Sequence, residues 1–91
     1  MAEDFERRVC DVGRRVSELR RNAGHTQEQF AALLGVSARW VRRLEQQGEN
    51  LTLHTLFKLA AALDVDPKAL LDEPSPEARK LRPGRPPKRS S

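Results

Sequence analysis

The chain has a single cysteine, Cys10, so no disulfide can close within it, and no group of cysteines and histidines has the spacing of a zinc site. A lone cysteine suits a reducing compartment, with Cys10 as a plain thiol on a helix. No apolar run approaches the roughly 20 residues that cross a bilayer as a helix, so no membrane partner is expected. The first residues, Met1-Ala2-Glu3-Asp4, are acidic and carry no apolar stretch of signal-peptide type, and a cytoplasmic location follows as the expectation. The alternating pattern of a half-buried strand is missing, and so is any internal repeat. Nor is there a Ser/His/Asp or Cys/His set, a metal-ligand cluster or a glycine-rich phosphate loop. An enzyme is therefore not expected, and neither is a metal or cofactor.

What is present reads as one globular unit with an unusual end. The 91 residues fit a single domain, and 33% charged with 37% hydrophobic residues is a soluble mixture. The net charge of +4 is unevenly spread. Residues 1–71 hold 11 Lys/Arg against 10 Asp/Glu, whereas residues 72–91 hold 6 against 3. A near-neutral body with a cationic end points to an anionic polymer as partner.

Apolar periodicity and caps divide the body into helices. Phe5, Val9, Val12, Val16 and Leu19 recur at spacings of four and three, one stripe of a first helix from Asp4 to Asn22 that Gly24 would stop. Thr26-Gln27-Glu28-Gln29 has the form of a capping box, opening a short helix that turns Phe30, Ala31 and Leu34 inward. Gly35 permits a tight turn, Val36 plugs the core, and Ser37 caps a third helix, Ala38 to Gln46. Two short helices joined by a three-residue turn containing glycine match a helix-turn-helix. Thr52 caps a fourth helix to Leu63, ended by Asp64 or Val65, and Asp66-Pro67 opens a short fifth helix to Leu71.

The third helix carries the chemistry. Val41 and Leu44 define its inner face, while Arg39, Arg42, Arg43 and Gln46 fall in one outward arc of about 100°. An exposed face that is merely solvated mixes charge signs at i, i+4 spacing; this arc has no acid, and its like charges repel unless an anion is present. An arginine fork can bond guanine O6 and N7 together or clamp a phosphate. The second helix adds a phosphate seat at its N-terminus, through the amides of Gln27 and Glu28 and the Gln27 side chain, and the fourth can act likewise from Thr52. Trp40, on the flank, either packs between helices or reaches a phosphate through its indole N–H.

Leu19-Arg20, Gly24, Thr26-Gln27, Ala31, Leu34-Gly35-Val36-Ser37, Val41, Leu44-Glu45 and Thr55-Leu56-Lys58-Leu59-Ala60-Ala62-Leu63 together resemble the Cro/phage-repressor (XRE) type of helix-turn-helix regulator. The resemblance runs from about Val12 to Leu71. It implies an all-α, five-helix, lambda-repressor-like domain over residues 4–71, with the third helix in the major groove of double-stranded DNA. It implies base contacts from Ala38, Arg39 and Arg43, where Ala38 can meet a thymine methyl. It further implies a phosphate contact from Gln27, with Arg42 facing the same way, and a structural salt bridge between Arg20 and Glu45. Relatives of this kind often pair through the fourth and fifth helices, which makes Leu53, Phe57, Pro67, Leu70 and Leu71 candidates for a homodimer interface. His25 stands where the family is usually apolar and is expected as a partly exposed turn residue, with His54 also at the surface. Asp64 stands where glycine is frequent and tolerates left-handed geometry better than most residues. Asn50-Leu51-Thr52 resembles the subgroup that includes restriction–modification controllers.

From Asp72 onward apolar residues nearly vanish and five of the six prolines collect, so residues 72–91 are expected to be a disordered tail. Leu81-Arg82-Pro83-Gly84-Arg85-Pro86-Pro87-Lys88-Arg89 resembles an AT-hook, a Gly-Arg-Pro core laid along a narrow minor groove. Pro83 stands where the hook has its first arginine, so a generic phosphate contact by Arg82, Gly84, Arg85, Lys88 and Arg89 is the alternative. The expected function is sequence-specific DNA binding by a transcriptional regulator. A restriction–modification controller or an antitoxin are narrower versions, and a protein-interaction module of the same fold is the rival from another class.

Overall fold

The computed structural model describes residues 5–76. Within them the chain forms α1 (Phe5–Asn22), α2 (Gln27–Leu34), α3 (Ala38–Gln47), α4 (Leu53–Leu63) and a closing 3-10 helix (Pro67–Leu71). No strand occurs among the described residues. None of the described helices is long and apolar enough to cross a membrane. The tail residues Arg82, Gly84, Arg85, Lys88 and Arg89, and Asp4, the expected start of the first helix, lie outside the described residues.

The count of five α-helices needs correction: four are α-helical and the last is a 3-10 turn. Asp66 accepts from the Lys68 amide at 2.9 Å, and the Ala69 amide reaches back three residues to the Asp66 carbonyl at 2.8 Å. Five residues, ended by extended backbone at Asp72, leave room for little more than one turn, and i→i+3 bonds suit so short a piece.

Local chemistry sets the other boundaries. Thr26 Oγ1 accepts from the Gln29 amide at 3.0 Å while Gln29 Oε1 accepts from the Thr26 amide at 2.9 Å, a complete capping box. Ser37 and Thr52 cap α3 and α4 by accepting from the amides of Trp40 and Thr55. Three helices end in the same crossed pair of bonds. After α1, Gly24 donates to Arg21 and His25 to Arg20. After α2, Gly35 donates to Ala32 and Val36 to Ala31; after α4, Asp64 donates to Ala61 and Val65 to Ala60. This closure needs a left-handed residue, supplied by Gly24 at φ 83°, Gly35 at φ 74° and Asp64 at φ 58°.

The core sits where all elements converge. Its largest fully buried side chains are Val16, Phe30, Val41, Leu44, Leu59 and Leu70. Two of these six belong to α3, so that helix is anchored by its inner face against α1 and α2. The apolar stripe of α1 reaches this core only in part. Val16 is buried and Val12 and Leu19 pack at its edge, but Phe5 is 67% exposed and Val9 is exposed as well. The first turns of α1 project beyond the core, so the stripe is covered only from Val12 onward.

The packed chain continues past Leu71, a few residues into the segment expected as tail. Pro74 is buried, and the Ser75 amide donates to Glu18 Oε1 at 3.3 Å. Arg15 ties the same region down: its Nε donates to the Ala69 carbonyl at 2.7 Å, and its guanidinium lies 3.2 Å from Glu18 and 3.8 Å from Asp72. Burial pushes the Glu18 carboxyl up, but the Ser75 hydroxyl and amide and the Arg15 guanidinium outweigh it, and the group stays below its ordinary value.

Candidate nucleic-acid interface

The site is built on a buried polar brace. Arg20 donates to Glu45 twice, from Nε to Oε2 at 2.7 Å and from Nη2 to Oε1 at 3.1 Å, while its Nη1 donates to the His25 carbonyl at 2.7 Å. Gln27 Nε2 adds a bond to Glu45 Oε1 at 3.0 Å. Arg20 and Glu45 together thus join α1, the turn after it, the start of α2 and the C-terminal half of α3. Charged groups this buried require such full pairing, because removing one partner strands the other.

A second support lies under the C-terminal half of α3, where its backbone rests directly on α1. A Cβ at Gly13 would stand 2.1 Å from the Leu44 carbonyl oxygen. Next along, Cys10 Sγ donates to the Gln47 carbonyl at 3.1 Å. Gly48, at φ 80°, then approaches Val9 so closely that a Cβ there would meet its carbonyl at 2.8 Å. At the other end, Lys58 Nζ donates to the Leu34 carbonyl at 3.2 Å and caps α2 from α4. The C-terminal half of α3 is therefore held from beneath by α1, and α2 before it is tied to α4.

On this mount Arg39, Arg42 and Arg43 are all exposed, while Val41, Leu44 and Glu45 face inward. Gln46 and Trp40 are half-buried, and Trp40 packs against the edge of the core. Ala38 is likewise half-buried and in contact with that core. Arg39 has no charged partner among the described residues. Arg42 stands 3.7 Å from Glu28 on α2, both of them well exposed, and Arg43 pairs through Nε with Glu49 Oε2 in the loop after α3. The arc itself contains no acid, yet two carboxylates from other elements reach it.

The remaining predicted positions separate by surroundings. Gln27 is half-buried with its amide group bonded to Glu45, so its side chain serves the brace. Glu28 is exposed at the first turn of α2. The Thr52 hydroxyl caps α4 and shares a 3.0 Å bond with the Thr55 hydroxyl. Of the residues assigned to a partner copy, Leu53, Phe57 and Leu71 are exposed and Pro67 is half-buried. Leu70 is fully buried in the protomer core, so that assignment is corrected: the tight 3-10 turn points it inward and leaves its neighbour Leu71 outside.

Several contributors went unread in the sequence. Gly13 stood as a lone glycine inside a helical pattern, a costly residue there, and that cost is the signal of close backbone packing. Lys58 and the Glu49 partner of Arg43 gave no local signal, because both act across a turn or between elements. Of the α1 stripe, Phe5 is exposed, and Val9 joins Leu53, Leu56 and Leu71 around a shallow groove of about 160 Å³, lined also by Val12, Leu51, Thr52 and Glu49 on the α1–α4 side.

Comparison with known proteins gives a consistent answer. The family described as Helix-turn-helix (HTH_3) matches residues 16–70. The uncharacterized HTH-type transcriptional regulator y4dJ of Sinorhizobium fredii is 43% identical over 54 residues, which cover 59% of this chain and 70% of that protein. Among solved structures, the restriction-modification controller protein C.AhdI from Aeromonas hydrophila is similar at a TM-score of 0.63 and 37% identity, covering 68% of this chain and 94% of that one. A hypothetical transcription factor, NHTF, from Neisseria is similar at a TM-score of 0.67 and 31% identity, covering 81% and 82%. With more than half of its length matched, and with a capped α2, a left-handed glycine turn and a braced α3 in the matching register, the chain belongs to the helix-turn-helix family of the Cro/phage-repressor (XRE) type.

Proposed function

We propose that the chain is a DNA-binding transcriptional regulator that reads a duplex with α3 in the major groove. The observation that carries this reading is the outward triad Arg39, Arg42 and Arg43 on a helix whose opposite face is locked by Val41, Leu44 and Glu45. Arg39 and Arg43 are assigned to base edges, with the Ala38 methyl beside them, because arginine forks match guanine O6 and N7. Arg42 and Gln46 are assigned to phosphates, with the amides of Gln27 and Glu28 at the start of α2 and those that follow Thr52 in α4. Trp40 reaches the rim of the same surface. The tail residues Arg82, Gly84, Arg85, Lys88 and Arg89 add a phosphate or minor-groove contact, and a cytoplasmic site of action fits this role.

Binding as a homodimer completes the proposal. Leu53, Phe57 and Leu71 leave apolar surface open, with Leu53 and Leu71 lining the groove between α1 and α4, and Pro67 is half-buried. A two-fold pair would set the recognition helices into successive major grooves about 34 Å apart, on a pseudo-palindromic site. Similarity to a restriction-modification controller favours that narrower role. Selection of bound duplexes from a random pool tests the reading. Enrichment of a two-fold symmetric site is expected; retention of no duplex even at low salt would overturn it.

A further inference from the structure

Of the three outward arginines, one is held by an anchored carboxylate. Arg43 donates through Nε to Glu49 Oε2, and the two side chains are 47% and 26% exposed. Glu49 follows Gly48, whose amide donates to the Leu44 carbonyl at 2.9 Å and whose backbone lies against Val9. The carboxylate therefore comes from a fixed point on the scaffold. The Arg42–Glu28 pair differs: it is longer, at 3.7 Å, and Glu28 is 71% exposed.

We propose that Glu49 is a positioning residue for base recognition, holding Arg43 by its Nε so that the Nη1 and Nη2 edge is presented to a guanine. The inference rests on the reading of α3 as the base-reading helix and deepens it. A guanidinium offers its five N–H groups on separate edges. With Nε engaged, the edge that fits guanine O6 and N7 remains for the duplex; Nη1 and Nη2 have no other partner among the described residues. Fixing the fork beforehand reduces the freedom lost on binding. The same carboxylate repels phosphate oxygens, so it disfavours the sequence-independent use of Arg43 as a phosphate clamp. Glu49 thus contributes both an attractive geometry toward one base and a penalty against the backbone, the two parts of a specificity device.

The test compares affinity for a duplex selected from a random pool with affinity for a random-sequence duplex, using fluorescence anisotropy on the full chain. Glu49→Gln keeps the side-chain shape and removes the charge, and Glu49→Ala removes both. Each is expected to lower the ratio of random to selected Kd by about three- to tenfold, the scale of coupling between touching charged groups. Binding to the random duplex should tighten as an acid is lost. In an Arg43→Ala background the effect on the ratio should vanish, which a purely structural role for Glu49 would not produce. A ratio within about twofold of wild type for both variants, or an equal change without Arg43, overturns the proposal. If Arg43→Ala loses discrimination while the Glu49 variants keep it, base reading by α3 stands and the role of Glu49 falls. If the unmodified chain binds no duplex, both fall.

Discussion

Gly13→Ala sets helix propensity against close packing, and the two effects have opposite signs. In an exposed helix interior this substitution stabilises by about 1 kcal/mol. Here the new Cβ would stand 2.1 Å from the Leu44 carbonyl oxygen, where ordinary contact begins at 3.4 Å. The obstacle is backbone, and that carbonyl already accepts the Gly48 amide that ends α3. Relief must come from separating α1 and α3 by about 1 Å. Overpacking costs about 1–3 kcal/mol where side chains can give way, and a fixed carbonyl puts this case at the top of that range or beyond. After the propensity gain is subtracted, a net loss of about 2 kcal/mol remains. For a domain this small that corresponds to a fall in Tm of about 10 °C. Thermal unfolding followed by far-UV circular dichroism measures it. An unchanged or raised Tm would show that α3 does not rest on α1 as described.

Three further outcomes follow from the same structure. Arg20→Ala or Glu45→Ala each leaves a buried charge unpaired and should cost about 3–5 kcal/mol in urea unfolding, whereas joint replacement of both by apolar residues should recover much of the loss; equal damage from the single and joint changes would contradict this. Asp64→Gly should raise stability by about 0.5–1 kcal/mol, because glycine adopts the φ of 58° without a Cβ penalty, and a measured loss would mean that the Asp64 side chain contributes more than its conformation costs. Glu18 has a folded pKa below its ordinary 4.5, so its contribution is complete above that pH and fades as pH falls through the lower folded value. Acid titration of stability should therefore be shallower in Glu18→Gln than in the unmodified chain, and identical acid profiles would refute the tie between Glu18 and residues 72–76.

The sequence told most about features written within a few consecutive residues. The Thr26 capping box, the Ser37 and Thr52 caps, the Gly35 turn and the Asp66-Pro67 opening all lie in short windows, and each appears in the structure where its chemistry requires it. The left-handed Asp64 was legible through family resemblance, since it stands where glycine is frequent. Periodicity was less complete: it gave the direction of the α1 stripe but not the distance over which the core covers it, and Phe5 and Val9 lie beyond that cover. Family resemblance placed both Leu70 and Leu71 at a partner surface, but it does not specify which way each points in a turn of five residues, and only Leu71 lies outside. Pairings across loops were least visible. Nothing near Arg43 announced Glu49, and nothing near Leu34 announced Lys58, since the path of the chain brings those groups together. The Arg20–Glu45 brace became legible through family resemblance and not through spacing.

The most direct test of the account concerns the outward arginines of α3. Anisotropy titrations of Arg39→Ala and Arg43→Ala should be run on a duplex selected from a random pool and on a random-sequence duplex under the same salt. Each change should cost about 1–3 kcal/mol on the selected duplex and far less on the random one, while Arg42→Ala weakens both alike. Equal losses on the two duplexes for Arg39→Ala and Arg43→Ala, or no loss on either, would contradict a base-reading role for this helix.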